Sequence, residues 1–282
     1  MSISRKLAFG VLAASAPLAT TGAIALASGN SAATKSAALP KLTLTATGSS
    51  LTVSGREQSG AVDVHQVVAG ESHASLVMVR LDPGVTYAQA VKALPKLGKD
   101  PNNVEAVGAI VFANTAPKGT SDVQTVLQPA KYIAIDITGK KSPRTAKFTI
   151  KKASSPAKLP KASATTNAIE FAFTGAKVLT HGTLVRGVNK GFLVHMNDFA
   201  GVKSKAAGKK VVAGFKAGAS FKKLRKYFSG SFFSLFDPVS HGAVQQMVLN
   251  AKPGFYVEAC FMRTQDGRLH TQLGMERLVR VK

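Results

Sequence analysis

Cys260 is the only cysteine of the chain, and His270 and Met275 follow it within fifteen residues. A thiolate, an imidazole and a thioether in one short strand-loop-strand segment, Tyr256 to Met275, make a soft ligand set of the kind copper prefers. A trigonal copper site also needs a second imidazole from elsewhere in the chain. His195, closing Val188-Asn-Lys-Gly-Phe-Leu-Val-His195 at a strand end beyond a turn, offers it. Taken singly, the same residues have other readings. Cys260 can be a buried small hydrophobe or an intermolecular link, and His195 a polar strand-end histidine. His181 and His241, each followed by glycine, read as turn residues.

These side chains need a scaffold, and the chain supplies one after a leader. Arg5 and Lys6 precede a weakly apolar run from Leu7 to Ala27 that ends in Ala25-Leu26-Ala27, the pattern of a secretory signal with an A-x-A cleavage site. Residues 1–27 are therefore read as a signal peptide and 28–40 as a tether. The mature chain is expected outside the cytoplasm, secreted or in the cell envelope, with no transmembrane segment.

From Lys41 onward the pattern is short alternating runs between turn residues, such as Leu42-Thr-Leu-Thr, Val62-Asp-Val-His-Gln-Val-Val68 and Leu76-Val-Met-Val-Arg-Leu81, which predict strands. Thr86 caps one short helix, with Gln89 three residues on as in a capping box, and Pro95 is expected to end it. Lys151 to Asn167, poor in large apolar residues, reads as a linker. The second half then echoes the first. Val211 to Gly218 parallels the strand Leu76 to Gly84, Ser220 caps a helix as Thr86 does, and Phe255 to Phe261 parallels Tyr132 to Ile137. A period near domain length predicts two copies of one antiparallel β fold, a first domain at 41–152, a linker at 153–167 and a second domain at 168–282.

Aligned on Tyr132 and Tyr256, Asp136 falls opposite Cys260, and the first copy carries no histidine or methionine in the following loop. The soft ligands belong to the second copy alone. Cys260, His270 and Met275 before a C-terminal strand, with His195 upstream after an Asn-x-Gly turn, resemble the cupredoxins, the blue-copper β-sandwiches. The resemblance covers 168–282 and extends loosely to the first copy. It implies an all-β chain of two tandem cupredoxin-like Greek-key β-sandwiches, each with one short helix. It also implies copper held by His195 and His270 as imidazole ligands, Cys260 as the thiolate and Met275 as the long axial ligand. Two features depart from the family: the Cys-to-His spacing is longer than in the small electron carriers, and Met196 follows His195. A regular hairpin about Asp266-Gly267 would send Cys260 and His270 to opposite faces of the sheet, so a copper site requires an irregular loop here.

The formal net charge is +23, with 37 lysines and arginines against 14 acids. Residues 159–282 are the more basic half. For an exported chain this surface suits envelope retention and solubility, with a redox partner protein or an anionic cell-envelope polymer as partner and no nucleic acid. Hydrolase motifs and His-x-His clusters are missing, and the sequence reading is that the chain is not an enzyme. It is read as an exported protein with a mononuclear copper site for one-electron transfer or copper binding. The alternative is a metal-free interaction module that uses its basic surface.

Overall fold

The computed structural model describes residues 38–138 and 142–282; the expected signal peptide and most of the expected tether, through Ala37, lie outside the described residues, as do 139–141. Among the described residues the first half holds β1 (Lys41–Ala46), β2 (Leu51–Gly55), β3 (Gly60–Leu81), α1 (Tyr87–Leu97), β4 (Gly108–Leu127), β5 (Ala130–Asp136) and β6 (Arg144–Ile150). The second holds β7 (Ala164–Ile169), β8 (Ala172–Gly175), β9 (Val178–Leu179), β10 (Leu184–Asn189), β11 (His195–Val202), α2 (Lys205–Lys216), α3 (Phe221–Leu224), β12 (Phe228–Val239), β13 (Val244–Val248), β14 (Gly254–Ala259) and β15 (Glu276–Val281). The chain is all-β, as the alternating runs require, and its strands form two sheets. No helix among the described residues is long and apolar enough to cross a membrane.

Strands of both halves share the larger sheet. Its order is β2-β1-β3-β4-β13-β10-β7-β8, with β5 and β6 added beside β3. The junction is the antiparallel pair β4–β13, where Gln245 faces Thr125 and Gln246 faces Gln124. Buried amides fasten it: Gln246 Nε2 donates to Gln124 Oε1 at 2.8 Å, and the Ala113 N–H donates to Gln245 Oε1 at 2.8 Å. Polar side chains are tolerated at this depth because each finds a partner. The apolar cluster beneath draws on both halves, from Val79, Ile110 and Ile133 to Phe199, Leu235 and Cys260. The described residues thus form one compact unit.

The smaller sheet, β12-β11-β14-β15-β9, positions the chemistry. All eight residues of β11 are buried, because β12 and β14 flank it and other layers cover its faces. A strand buried on both sides loses the apolar-polar alternation that marks a half-exposed one. Tyr256 in β14 donates its hydroxyl to the Lys252 carbonyl at 2.8 Å, and Tyr132 in β5 does the same to Gln128 at 2.8 Å.

Three local expectations are corrected. Val211 to Gly218 is not a strand: residues 205–216 form α2, capped by Ser204 Oγ accepting from the Ala207 N–H at 3.1 Å. Ala207, Val211 and Phe215 recur every fourth residue and are the buried face, so helical periodicity overrides the β-branched Val211-Val212 pair. They pack on Val257 and Ala259 of β14. Pro95 does not end α1, which runs to Leu97 and closes with the Gly98 N–H on the Leu94 carbonyl at 2.9 Å. The helix predicted after Ser220 shrinks to the four residues of α3, and Phe228 already belongs to β12.

Candidate metal centre

His195 opens β11, and the loop before it is tied down from several sides. Asn189, at the end of β10, donates its amide to the carbonyls of Leu193 at 2.9 Å and Val239 at 2.8 Å, and its oxygen accepts the Gly191 N–H at 3.0 Å. Asn102 Oδ1, from the first half, accepts the Val194 N–H at 3.0 Å. A histidine at the mouth of a buried strand, behind a braced turn, has little freedom to swing away.

Cys260 follows β14 directly, and there the regular ladder stops. Its N–H still donates to the Met275 carbonyl at 3.1 Å, but the chain then leaves the sheet through residues 261–269. A small turn forms about Asp266-Gly267, with the Gly267 N–H on the Thr264 carbonyl at 2.9 Å and a lone bridge between Arg263 and Leu269. The chain returns as a single 3-10 turn, His270–Leu273. The His270 N–H donates to Met262 at 2.8 Å and the Met275 N–H to His270 at 3.0 Å. The loop is therefore irregular, and it brings His270 to the same side as Cys260.

The donor atoms converge. His195 Nδ1 lies 3.2 Å from His270 Nδ1, and Cys260 Sγ lies 3.8 Å from the first and 3.4 Å from the second. His195, Cys260 and His270 form one group of possible metal ligands, all buried. The point equidistant from the three atoms is about 2.0 Å from each, close to the roughly 2.0–2.3 Å at which imidazole and thiolate hold a first-row metal. The residues present therefore fit a copper ion in donor type and in spacing. Met275 is fully buried beside them, its backbone hydrogen-bonded to both Cys260 and His270.

Burial sets the protonation of the group. It pushes both imidazoles down to about 4, against which the nearby Glu170 carboxylate works upward; at neutral pH both are uncharged and each offers a lone pair. The Cys260 thiol is pushed up to about 12 by burial, opposed by the N–H groups of Met196 and Met262. Without a metal the sulfur keeps its proton, and a cation entering the group must displace it. The Met196 N–H, 3.4 Å from Sγ, remains to stabilise the thiolate that results.

Sequence reasoning missed three neighbours of this group. Glu170, in the β7–β8 turn, places Oε1 3.7 Å from His195 Nε2. Gly191 leaves the space between them: a Cβ there would lie 2.6 Å from each of those atoms. Phe171, with φ of 55°, packs edge-on against the His270 ring at 5.1 Å. No sequence signal pointed to Glu170, which lies far from Asn189-Lys-Gly191 along the chain. His181 and His241 sit in turns, hydrogen-bonded to the carbonyls of Ala251 and Gly191 at 3.0 and 2.9 Å. In the first half, Asp136 is buried against Arg144, which also reaches Glu71; an ion pair stands there rather than a ligand cluster.

No family model and no curated protein matches the chain. Similar solved structures include a reduced auracyanin from Roseiflexus castenholzii, 18% identical over 43% of this chain and 99% of that one, at a TM-score of 0.26. A copper-containing nitrite reductase from Thermus scotoductus is 12% identical over 86% of this chain and 68% of that one, at 0.24. The McoA multicopper oxidase of Aquifex aeolicus is 9% identical over 86% and 65%, at 0.26. Likenesses this remote transfer no residue role to this chain. The expectation that the chain is not an enzyme is corrected: it rested on missing short motifs, and these do not exclude catalysis, since reacting groups converge from distant parts of a chain; enzymes stand among the similar structures.

Proposed function

We propose that the chain is a cupredoxin-like protein that holds one copper ion through His195 Nδ1, Cys260 Sγ and His270 Nδ1, with Met275 as a weak fourth ligand. The convergence of three buried donor atoms carries this reading. Bound copper would supply one-electron chemistry, for electron transfer or copper handling. The protein's part is to hold the donors at fixed separations, to keep both imidazoles neutral and to exclude water from all three side chains, each fully buried. Residues 41–152 and 168–282 are taken as two cupredoxin-like copies, the second carrying the site. The leader supports a location outside the cytoplasm, where a redox partner protein or an anionic envelope polymer is the expected partner.

The test is the visible spectrum of the mature protein after Cu(II) is added and the excess removed, beside Cys260→Ser. An intense blue band that vanishes in the variant supports a thiolate-bound copper. A colourless protein that retains no copper by metal analysis refutes it.

One observation favours a second reading, a metal-free interaction module. Nine lysines and arginines and no acid lie between Lys203 and Lys226, and all nine side chains are exposed on and around α2 and α3. Binding of a polyanion that is unchanged by Cys260→Ser, and abolished by charge reversal on this face, would favour that reading in a protein that fails the copper test.

A further inference from the structure

Glu170 stands beside the buried His195, and its surroundings fix where its charge points. Its Oε1 accepts the N–H groups of Phe192 and of Leu193, the latter at 3.2 Å. These two bonds clamp the β7–β8 turn onto the loop that precedes His195. The same oxygen lies 3.7 Å from His195 Nε2, which is buried and has no hydrogen-bond partner. That separation is longer than a closed hydrogen bond, yet no side chain stands between the two atoms, because position 191 is glycine.

We propose that Glu170 is a positioning residue: its carboxylate holds the hydrogen of His195 on Nε2 and so turns a bare Nδ1 lone pair toward the metal position. The inference rests on the reading of His195 as a ligand. The neutral ring has two tautomers. With hydrogen on Nε2, an N–H dipole faces the carboxylate. With hydrogen on Nδ1, a nitrogen lone pair faces a negative oxygen in a poorly solvated place, which is repulsive. A carboxylate behind a ligating imidazole fixes its orientation and raises its basicity.

A second consequence follows in the metal-free protein. The two Nδ1 atoms are 3.2 Å apart, so one must carry a hydrogen for the contact to be attractive. If His195 carries its hydrogen on Nε2, His270 is the donor, from Nδ1. Glu170 therefore imposes opposite tautomers on the two histidines, and of the two rings only that of His270 must move its hydrogen from one nitrogen to the other on metal binding.

The experiment is imidazole 15N NMR of the metal-free full-length mature protein at neutral pH, for wild type, Glu170→Gln and Glu170→Ala. The expected result is hydrogen on Nε2 of His195 and on Nδ1 of His270 in wild type. In Glu170→Gln, where the amide oxygen can keep the Phe192 and Leu193 bonds and so stays beside Nε2 without the negative charge, the preference weakens and the second tautomer becomes detectable; in Glu170→Ala, where no oxygen faces the ring, the two tautomers mix. Copper affinity should fall about 10- to 100-fold in Glu170→Gln, with an unchanged thermal midpoint. If copper(II) affinity falls tenfold more than copper(I) affinity, the reduction potential rises by about 59 mV. Hydrogen on Nδ1 of His195 in wild type overturns the proposal without any variant. So do tautomers and affinity that ignore Glu170→Gln, which would make Glu170 a brace for the loop alone. A wild type that retains no copper but whose His195 tautomer follows Glu170 refutes the copper reading and upholds the positioning.

Discussion

Copper affinity should rise tenfold per pH unit across the neutral range, and the number comes from the buried donors. Between about pH 5 and 9 the two imidazoles, pushed down to about 4, are already unprotonated. The Cys260 thiol, pushed up to about 12, is still protonated. Binding a cation to this set releases one proton, from sulfur, and moves no net proton on either ring. By linkage the slope of log K against pH is one, or about 1.4 kcal/mol per pH unit. Below about pH 4 the imidazoles also compete and the slope should steepen towards three. The assay is a competition titration against a chromophoric chelator of known pH dependence from pH 5.5 to 8.5, with direct measurement of proton release in weak buffer. A flat profile would mean that Cys260 is already a thiolate. A slope near two at pH 7 would mean that an imidazole is charged in the metal-free protein. Either result refutes the reasoning from burial.

Other outcomes follow from the same structure. Gly191→Ala puts a Cβ 2.6 Å from both Glu170 Oε1 and His195 Nε2 and should destabilise by about 1–3 kcal/mol with weakened copper binding; Gly48→Ala, which meets no atom within 4 Å, is the neutral control in thermal denaturation. Asp136→Asn leaves the buried Arg144 with less compensation and should cost about 3–5 kcal/mol in a urea titration, without altering the visible spectrum. The Asp198 carboxyl is pushed up to about 8, by burial first and by Asp237 second. The stability it contributes when protonated is full below about pH 4 and is lost progressively as pH rises to about 8. Asp198→Asn should therefore match wild type near pH 4 and exceed it by up to about 5 kcal/mol above pH 8.

The proposed ligand set was legible because chemistry is carried by residue type. One cysteine with His270 and Met275 behind it, and His195 after Asn189-Lys-Gly191, is unusual enough to be noticed without any knowledge of contacts. Strands were legible where one face is wet, as in β1 with its alternating buried leucines Leu42 and Leu44. α2 was misread because Val211 and Val212 favour strand locally, while its helical face becomes evident only when Val257 and Ala259 are there to receive it.

The sequence by itself therefore determined the all-β class and the four residues worth testing. It also showed that a regular hairpin at Asp266-Gly267 could not serve a metal. The tertiary structure decided whether the loop breaks its ladder after Ala259, and so whether Sγ and the two Nδ1 atoms meet. It alone joined the halves through Gln245 and Gln246 and placed Glu170 behind His195. The reason is physical: periodicity and turn chemistry report on neighbours along the chain. The separation of donor atoms some 65 residues apart depends on strand pairing and core packing, which close only when the whole chain has folded.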